Sequence, residues 1–144
     1  MRALTGTALG RAALALTAAD VLHALDHTRQ GRDLPAEVYV AGVAGWLALA
    51  VLLVLVARGH WLAAPYAAAV GLSVAAGFLL VHVAPHWSAF SDPYSAFSPD
   101  ALSWALVALP VLAAVNLVAQ AVRQRGSTAW SRRRLSAGQS AAGS

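Results

Sequence analysis

The chain has 144 residues, of which 59% are hydrophobic and 11% charged, and its net charge is +4. Soluble domains carry about 25% charged residues, so this composition excludes an ordinary soluble domain and points to a membrane protein. Cysteine is absent, which excludes disulfides, thiolate metal sites and thiol chemistry.

All ten basic residues are arginine, and five of them fall in 123–144. The pI near 10.7 therefore reflects a basic tail beside a membrane, suited to anionic lipid headgroups, and no nucleic-acid partner is expected. In chain order, the apolar runs predict an all-α fold, a transmembrane four-helix bundle. Its spans are expected at 4–27, 38–57, 61–84 and 101–122, with 123–144 as a disordered cytoplasmic tail.

The first span is the least regular, because Arg11 and Asp20 interrupt it. Arg2 and Arg11 ahead of an apolar run ending in Leu16-Thr17-Ala18-Ala19 also fit a cleaved signal peptide. The helical pattern runs on through that point into His23 and His27, and a retained amphipathic helix is the expectation. The second span holds no charge over 38–57, long enough for the bilayer core, which takes about 20 residues. Asp33, Pro35 and Glu37 precede it as helix-start signals, and Arg58-Gly59 ends it. The third carries Pro65 in its first turn. Before the fourth, Ser98 reads as N-cap, with Pro99 and Asp100 in the first turn. Pro110 is expected to kink that helix. Gly42, Gly45, Gly71, Ala75 and Gly77 are expected to let helices pack closely. Asn116 and Gln120 are expected to hydrogen-bond between helices.

Arginine distribution sets the expected orientation. The loop 85–100 has no arginine while the tail has five, which puts both termini in the cytoplasm and that loop outside. Arg29 and Arg32 oppose this assignment and are outweighed by the tail.

The candidate site follows from connectivity. With four spans, the C-terminal ends of the first and third lie on one side of the membrane. His23 and His27 stand four residues apart at one end, and His82 and His86 at the other. At about 100° per residue, Asp20, His23 and His27 fall within an arc of about 60°, with Asp26 at its margin. Helix-borne imidazoles at this spacing can share one ion, and imidazole suits Zn, Cu, Fe and Ni. The expected metal set is therefore His23, His27, His82, His86, Asp20 and Asp26. Pro85 disfavours helix at Ala84 and so weakens the place of His86. One haem between imidazoles of the two helices is the other cofactor expectation.

Two readings without a cofactor stand beside these. The cluster can be a polar network fastening helices in an accessory or structural membrane subunit, or a proton relay in a small proton-coupled transporter subunit. Homo-oligomers and membrane-complex partners fit either. Ser91, Ser95 and Ser98 lack the His/Asp arrangement of a nucleophile, so no catalytic residue is expected. His60 reads as a loop residue.

HALDH in the first span, and PHW with SAFSDPY after the third, resemble small four-span bacterial integral membrane proteins of Ala/Leu/Val/Arg-rich composition. That resemblance covers the first three spans and implies the topology, with no activity attached.

Overall fold

The computed structural model describes residues 2–31 and 33–142, with side chains over 4–31 and 33–126. Among the described residues there is no strand. A short helix α1 (Arg2–Gly6) precedes α2 (Ala8–Gln30). The sequence predicts one helix over 4–27, and the break at Thr7 has a local cause. Thr7 is extended, and its hydroxyl accepts from the Gly10 N–H at 3.0 Å, capping α2. Gly10 has no side chain where the Leu4 backbone crosses it, so α1 folds back tightly. At its other end α2 stops at Gly31, whose left-handed φ of 63° lets its N–H reach the Thr28 carbonyl.

Two further helices follow, α3 (Ala36–Ala57) and α4 (Ala63–Phe78), and α4 runs directly into a π-helical turn, Leu79–Val83. A 3-10 turn, Tyr94–Ala96, interrupts the loop before α5 (Ala101–Ala142). Four segments are long and apolar enough to cross a membrane: Ala8–Gln30, Ala36–Ala57, Ala63–Val83 and Ala101–Gly126. The chain is a multi-pass helical membrane protein.

Two details of α5 differ from the sequence reading. Its N-cap is Asp100 and not Ser98: the Asp100 carboxylate accepts from the Ser103 N–H at 2.9 Å. Pro110 lies inside the helix. Its backbone also stays helical to Ala142, past the expected end at Val122; Ala, Arg, Gln and Leu are good helix formers. Arg132, Arg133 and Arg134 have side chains outside the described set, so the lipid contacts expected of the tail fall outside it too.

α5 packs along both α2 and α4, while α3 joins them mainly by its C-terminal half. The apolar core fills one half of the bundle. Leu9, Ala12, Ala13 and Leu16 of α2 meet Leu49, Leu52 and Val56 of α3 there, with Ala63, Ala64, Ala67 and Val70 of α4. Ala114, Leu117 and Ala121 of α5 complete it. Small side chains let these helices approach closely, as packing in lipid requires. Gly71 is the close approach of α4 to α5: a Cβ there would lie 2.7 Å from Val118 Cγ2 and 2.9 Å from the Ala114 carbonyl oxygen. Gly42, Gly45 and Gly77 do not share this role, since a Cβ on any of them would meet nothing within 4 Å. In the half they occupy, α3 stands away from its neighbours.

Candidate metal centre

That open half carries the histidines. Three of the four expected imidazoles come together: His23 and His27 on α2 and His82 on the π turn each offer a ligand atom, all within 4.8 Å of one another. His23 and His82 are buried. The Nε2 atoms of His23 and His27 face each other at 3.0 Å. Ring centroids lie 4.6 Å apart for His23–His27, 4.8 Å for His23–His82 and 5.5 Å for His27–His82. Phe78 closes on His23 from the α4 side at 4.7 Å.

The π turn that holds His82 follows from Pro85. Proline has no N–H to give the Val81 carbonyl four residues earlier. The Asp92 N–H bonds that carbonyl instead at 3.0 Å, and the Trp87 indole N–H bonds the Leu80 carbonyl at 2.8 Å. The Ala84 N–H reaches back five residues to Leu79 at 2.8 Å. Such single π turns recur at functional sites. This one leaves His82 inside and His86 exposed on the loop beyond it.

Hydrogen bonding sets the tautomer of His82. Its Nδ1 lies 3.3 Å from the Asp92 carbonyl. A carbonyl only accepts, so Nδ1 carries the proton; histidine ligands are commonly oriented in this way. His23 Nδ1 is buried without a well-formed hydrogen bond, with the Leu106 backbone within electrostatic reach of the ring. Tyr94 is buried over the site, 5.0 Å from the His82 ring, and stacks edgewise on Phe97 and Trp104. The loop segment between the π turn and α5 thus packs over His82 through Tyr94.

Asp26 is buried on a different side of α2. Its carboxylate accepts from Arg29 Nε at 2.7 Å and from Gln30 Nε2 at 2.7 Å. Arg29 also binds Asp100 with two parallel bonds, at 2.9 and 3.0 Å, and reaches Ser103 Oγ at 2.9 Å. Gln30 donates to Ser103 Oγ at 3.1 Å and lies 3.3 Å from the Tyr94 hydroxyl. The Arg29 guanidinium holds the exposed Asp100 carboxyl down to about 2. This network ties α2 to the start of α5 and to the loop. Sequence reasoning missed it: Arg29 entered only as a topology signal, Asp100 only as a first-turn acid, and Tyr94 only within the loop motif SAFSDPY. The available signal was a pair of i, i+3 spacings, Asp26–Arg29 and Asp100–Ser103.

Asp20 faces a third environment. It is partly buried and has no hydrogen bond or ion pair among the described residues; Arg11, on the same helix, donates to the Thr5 carbonyl at 3.2 Å. Asp20, His23, His27 and His82 line one side of a cavity of about 1130 Å³ between α2, α3 and α4. Of the six residues in the expected metal set, His23, His27 and His82 converge, Asp20 shares their cavity, Asp26 belongs to the Arg29 network, and His86 stands outside. His60 lies in the turn between α3 and α4, where its Nδ1 accepts from the Leu62 N–H. Gln120 bonds Asn116 within α5 at 3.1 Å, not across helices as expected.

No protein-family model, curated protein or solved structure matches this chain.

Proposed function

We propose that this protein is a small membrane metal-binding protein whose ion sits between His23, His27 and His82, close to the outer surface. The observation that carries this reading is the pair of Nε2 atoms facing at 3.0 Å with a third imidazole alongside. Two nitrogens on a tetrahedral zinc, each about 2.0–2.1 Å from the ion, stand about 3.3 Å apart. The same contact can hold a proton, one imidazole donating to the other, so the test must separate proton from ion. Three neutral nitrogen ligands suit Zn, Cu, Fe or Ni and leave a fourth position open. His23, His27 and His82 all line the cavity between α2, α3 and α4.

Two features weigh against the rival readings. Haem needs an imidazole on each face of its ring, and rings 4.8 Å apart leave no layer for a macrocycle between His23 and His82. A purely structural fastener is already supplied by Asp26, Arg29, Gln30, Asp100 and Ser103, which join α2 to α5 without any imidazole.

Elemental analysis and a visible spectrum of detergent-purified protein test the proposal. One equivalent of zinc, copper, iron or nickel without a Soret band supports it. A Soret band assigns haem, and metal-free protein that takes up no added ion assigns the fastener. Orientation is tested with a reporter enzyme active only in the periplasm. Fused within 91–98 it is active, and fused after Gly126 it is silent; the reverse moves the site to the cytoplasmic face.

A further inference from the structure

The three imidazoles are not held alike. His23 and His27 stand one turn apart inside α2, which runs from Ala8 to Gln30, so the helix itself sets their spacing. His82 lies in the last turn before Pro85, where a helix end leaves its carbonyls without intrahelical partners. The loop supplies those partners: the Trp87 indole N–H for the Leu80 carbonyl and the Asp92 N–H for the Val81 carbonyl. The same segment holds the ring. Its Nδ1 donates to the Asp92 carbonyl at 3.3 Å, and the Tyr94 ring lies 5.0 Å from it.

The segment is itself braced. Ser91 Oγ accepts from the Trp87 and Ser88 N–H groups at 3.1 and 3.2 Å. Tyr94 is buried and packs edgewise on Trp104 of α5 at 5.3 Å. Its hydroxyl accepts from Gln30 Nε2 of α2 at 3.3 Å. One buried ring thus bears on His82, α2 and α5 together, and interiors packed this closely give a side chain little room to turn. We propose that Tyr94 is the positioning residue of the third imidazole. Its ring, with the Asp92 carbonyl, keeps His82 beside the α2 pair, and so makes the centre a three-nitrogen site where α2 alone would offer two. This rests on the metal reading. Tyr94 acts through His82 and is not itself a ligand.

Cobalt(II) titration of the full chain in detergent, read by visible absorption, tests it, together with zinc affinity by competition against a chromophoric chelator. Tetrahedral cobalt absorbs strongly and six-coordinate cobalt weakly, so the spectrum reports whether the third imidazole is on the ion. Wild type should give the strong bands. Tyr94→Leu should lose them and bind zinc about 10–100-fold more weakly, the usual loss when a group behind a ligand is removed. Tyr94→Phe keeps the ring and should keep the wild-type spectrum and affinity. Ser91→Ala loosens the segment with Tyr94 in place. It should move both readouts the same way, by about tenfold in affinity, and it serves where Tyr94→Leu does not fold. Ser95→Ala, exposed in the same loop, should change neither. Folded Tyr94→Leu and Ser91→Ala with the wild-type spectrum and zinc affinity would overturn the inference and leave the metal centre standing. So would an equal loss in Tyr94→Phe, which would give the role to the hydroxyl. A wild type that takes up neither cobalt nor zinc overturns the metal reading and this inference with it.

Discussion

The last turns of α2 present two sets of polar side chains with different partners. On one side Asp26, Arg29 and Gln30 meet Asp100 and Ser103, and the buried carboxylate has a guanidinium and an amide on it. On the other side His23 and His27 turn toward His82, with the Nε2 atoms of His23 and His27 facing at 3.0 Å. Within eight residues, then, one face forms an ion-paired joint between helices, and the other holds the three imidazoles to which the proposed ion is assigned.

The largest effect should separate ion from fold. His23→Ala, His27→Ala and His82→Ala each remove one of three ligands, and bound metal in the purified protein should fall to a trace. The metal-free melting temperature should stay close to that of metal-free wild type. His86→Ala should keep full metal content. Equal, small stability losses at all four positions with no metal in any protein would return the histidines to the structural side of the comparison.

The network should show the converse. Arg29→Ala removes the cation from a carboxylate with no exposed side-chain surface. Arg29 is itself nearly half exposed and Gln30 remains on the carboxylate, so a clear loss of stability, smaller than for a fully buried pair, is expected by denaturant or thermal unfolding. The folded fraction should still bind its ion. Loss of metal affinity at unchanged stability would show that the two faces act as one site.

The glycines provide a smaller contrast between the two halves of the bundle. Gly71→Ala drives a methyl into Val118 and the Ala114 carbonyl and should destabilise by about 1–3 kcal/mol. Gly77→Ala projects into the cavity and should be neutral or stabilising by up to about 1 kcal/mol, since alanine is the better helix former. Comparable losses at both would mean the open half closes in the membrane.

The smallest effect is that of pH on the Arg29–Asp100 clamp. The Asp100 carboxyl is held below its ordinary 3.8, at about 2, by its hydrogen bonds to Arg29. A depressed carboxylate contributes stability above its unfolded value, and that contribution is lost as pH falls through the folded one. The melting-temperature difference between wild type and Asp100→Asn should be constant from pH 7 to about 5 and vanish between about 4 and 2. Asp100 is exposed, so the difference should be small and reduced by salt. A difference that disappeared near pH 6 instead would place the clamp on another group.

The four spans were legible because apolar runs of bilayer length leave few alternatives, and connectivity alone put His23, His27 and His82 at one end. Individual positions were harder. Asp26 sat at the edge of the predicted polar arc, and a rotation of that size decides between two neighbouring helices. His86 kept the i+4 spacing in the sequence, but Pro85 turned the last helical turn into a π turn and left it on the loop. The Arg29–Asp100 pair joins residues 71 positions apart, which no local spacing encodes. Glycine was ambiguous for a physical reason: the same residue permits close approach at Gly71 and leaves a void at Gly77, and only the neighbour's position distinguishes them.

X-ray absorption at the metal edge of the loaded protein bears most directly on the central claim. The account predicts about three imidazole nitrogens at about 2.0–2.1 Å with one further oxygen or nitrogen ligand, falling to two imidazoles in His82→Ala if any ion is retained. A wild-type protein that holds no ion after loading, or one whose ion is bound without imidazole, would contradict it.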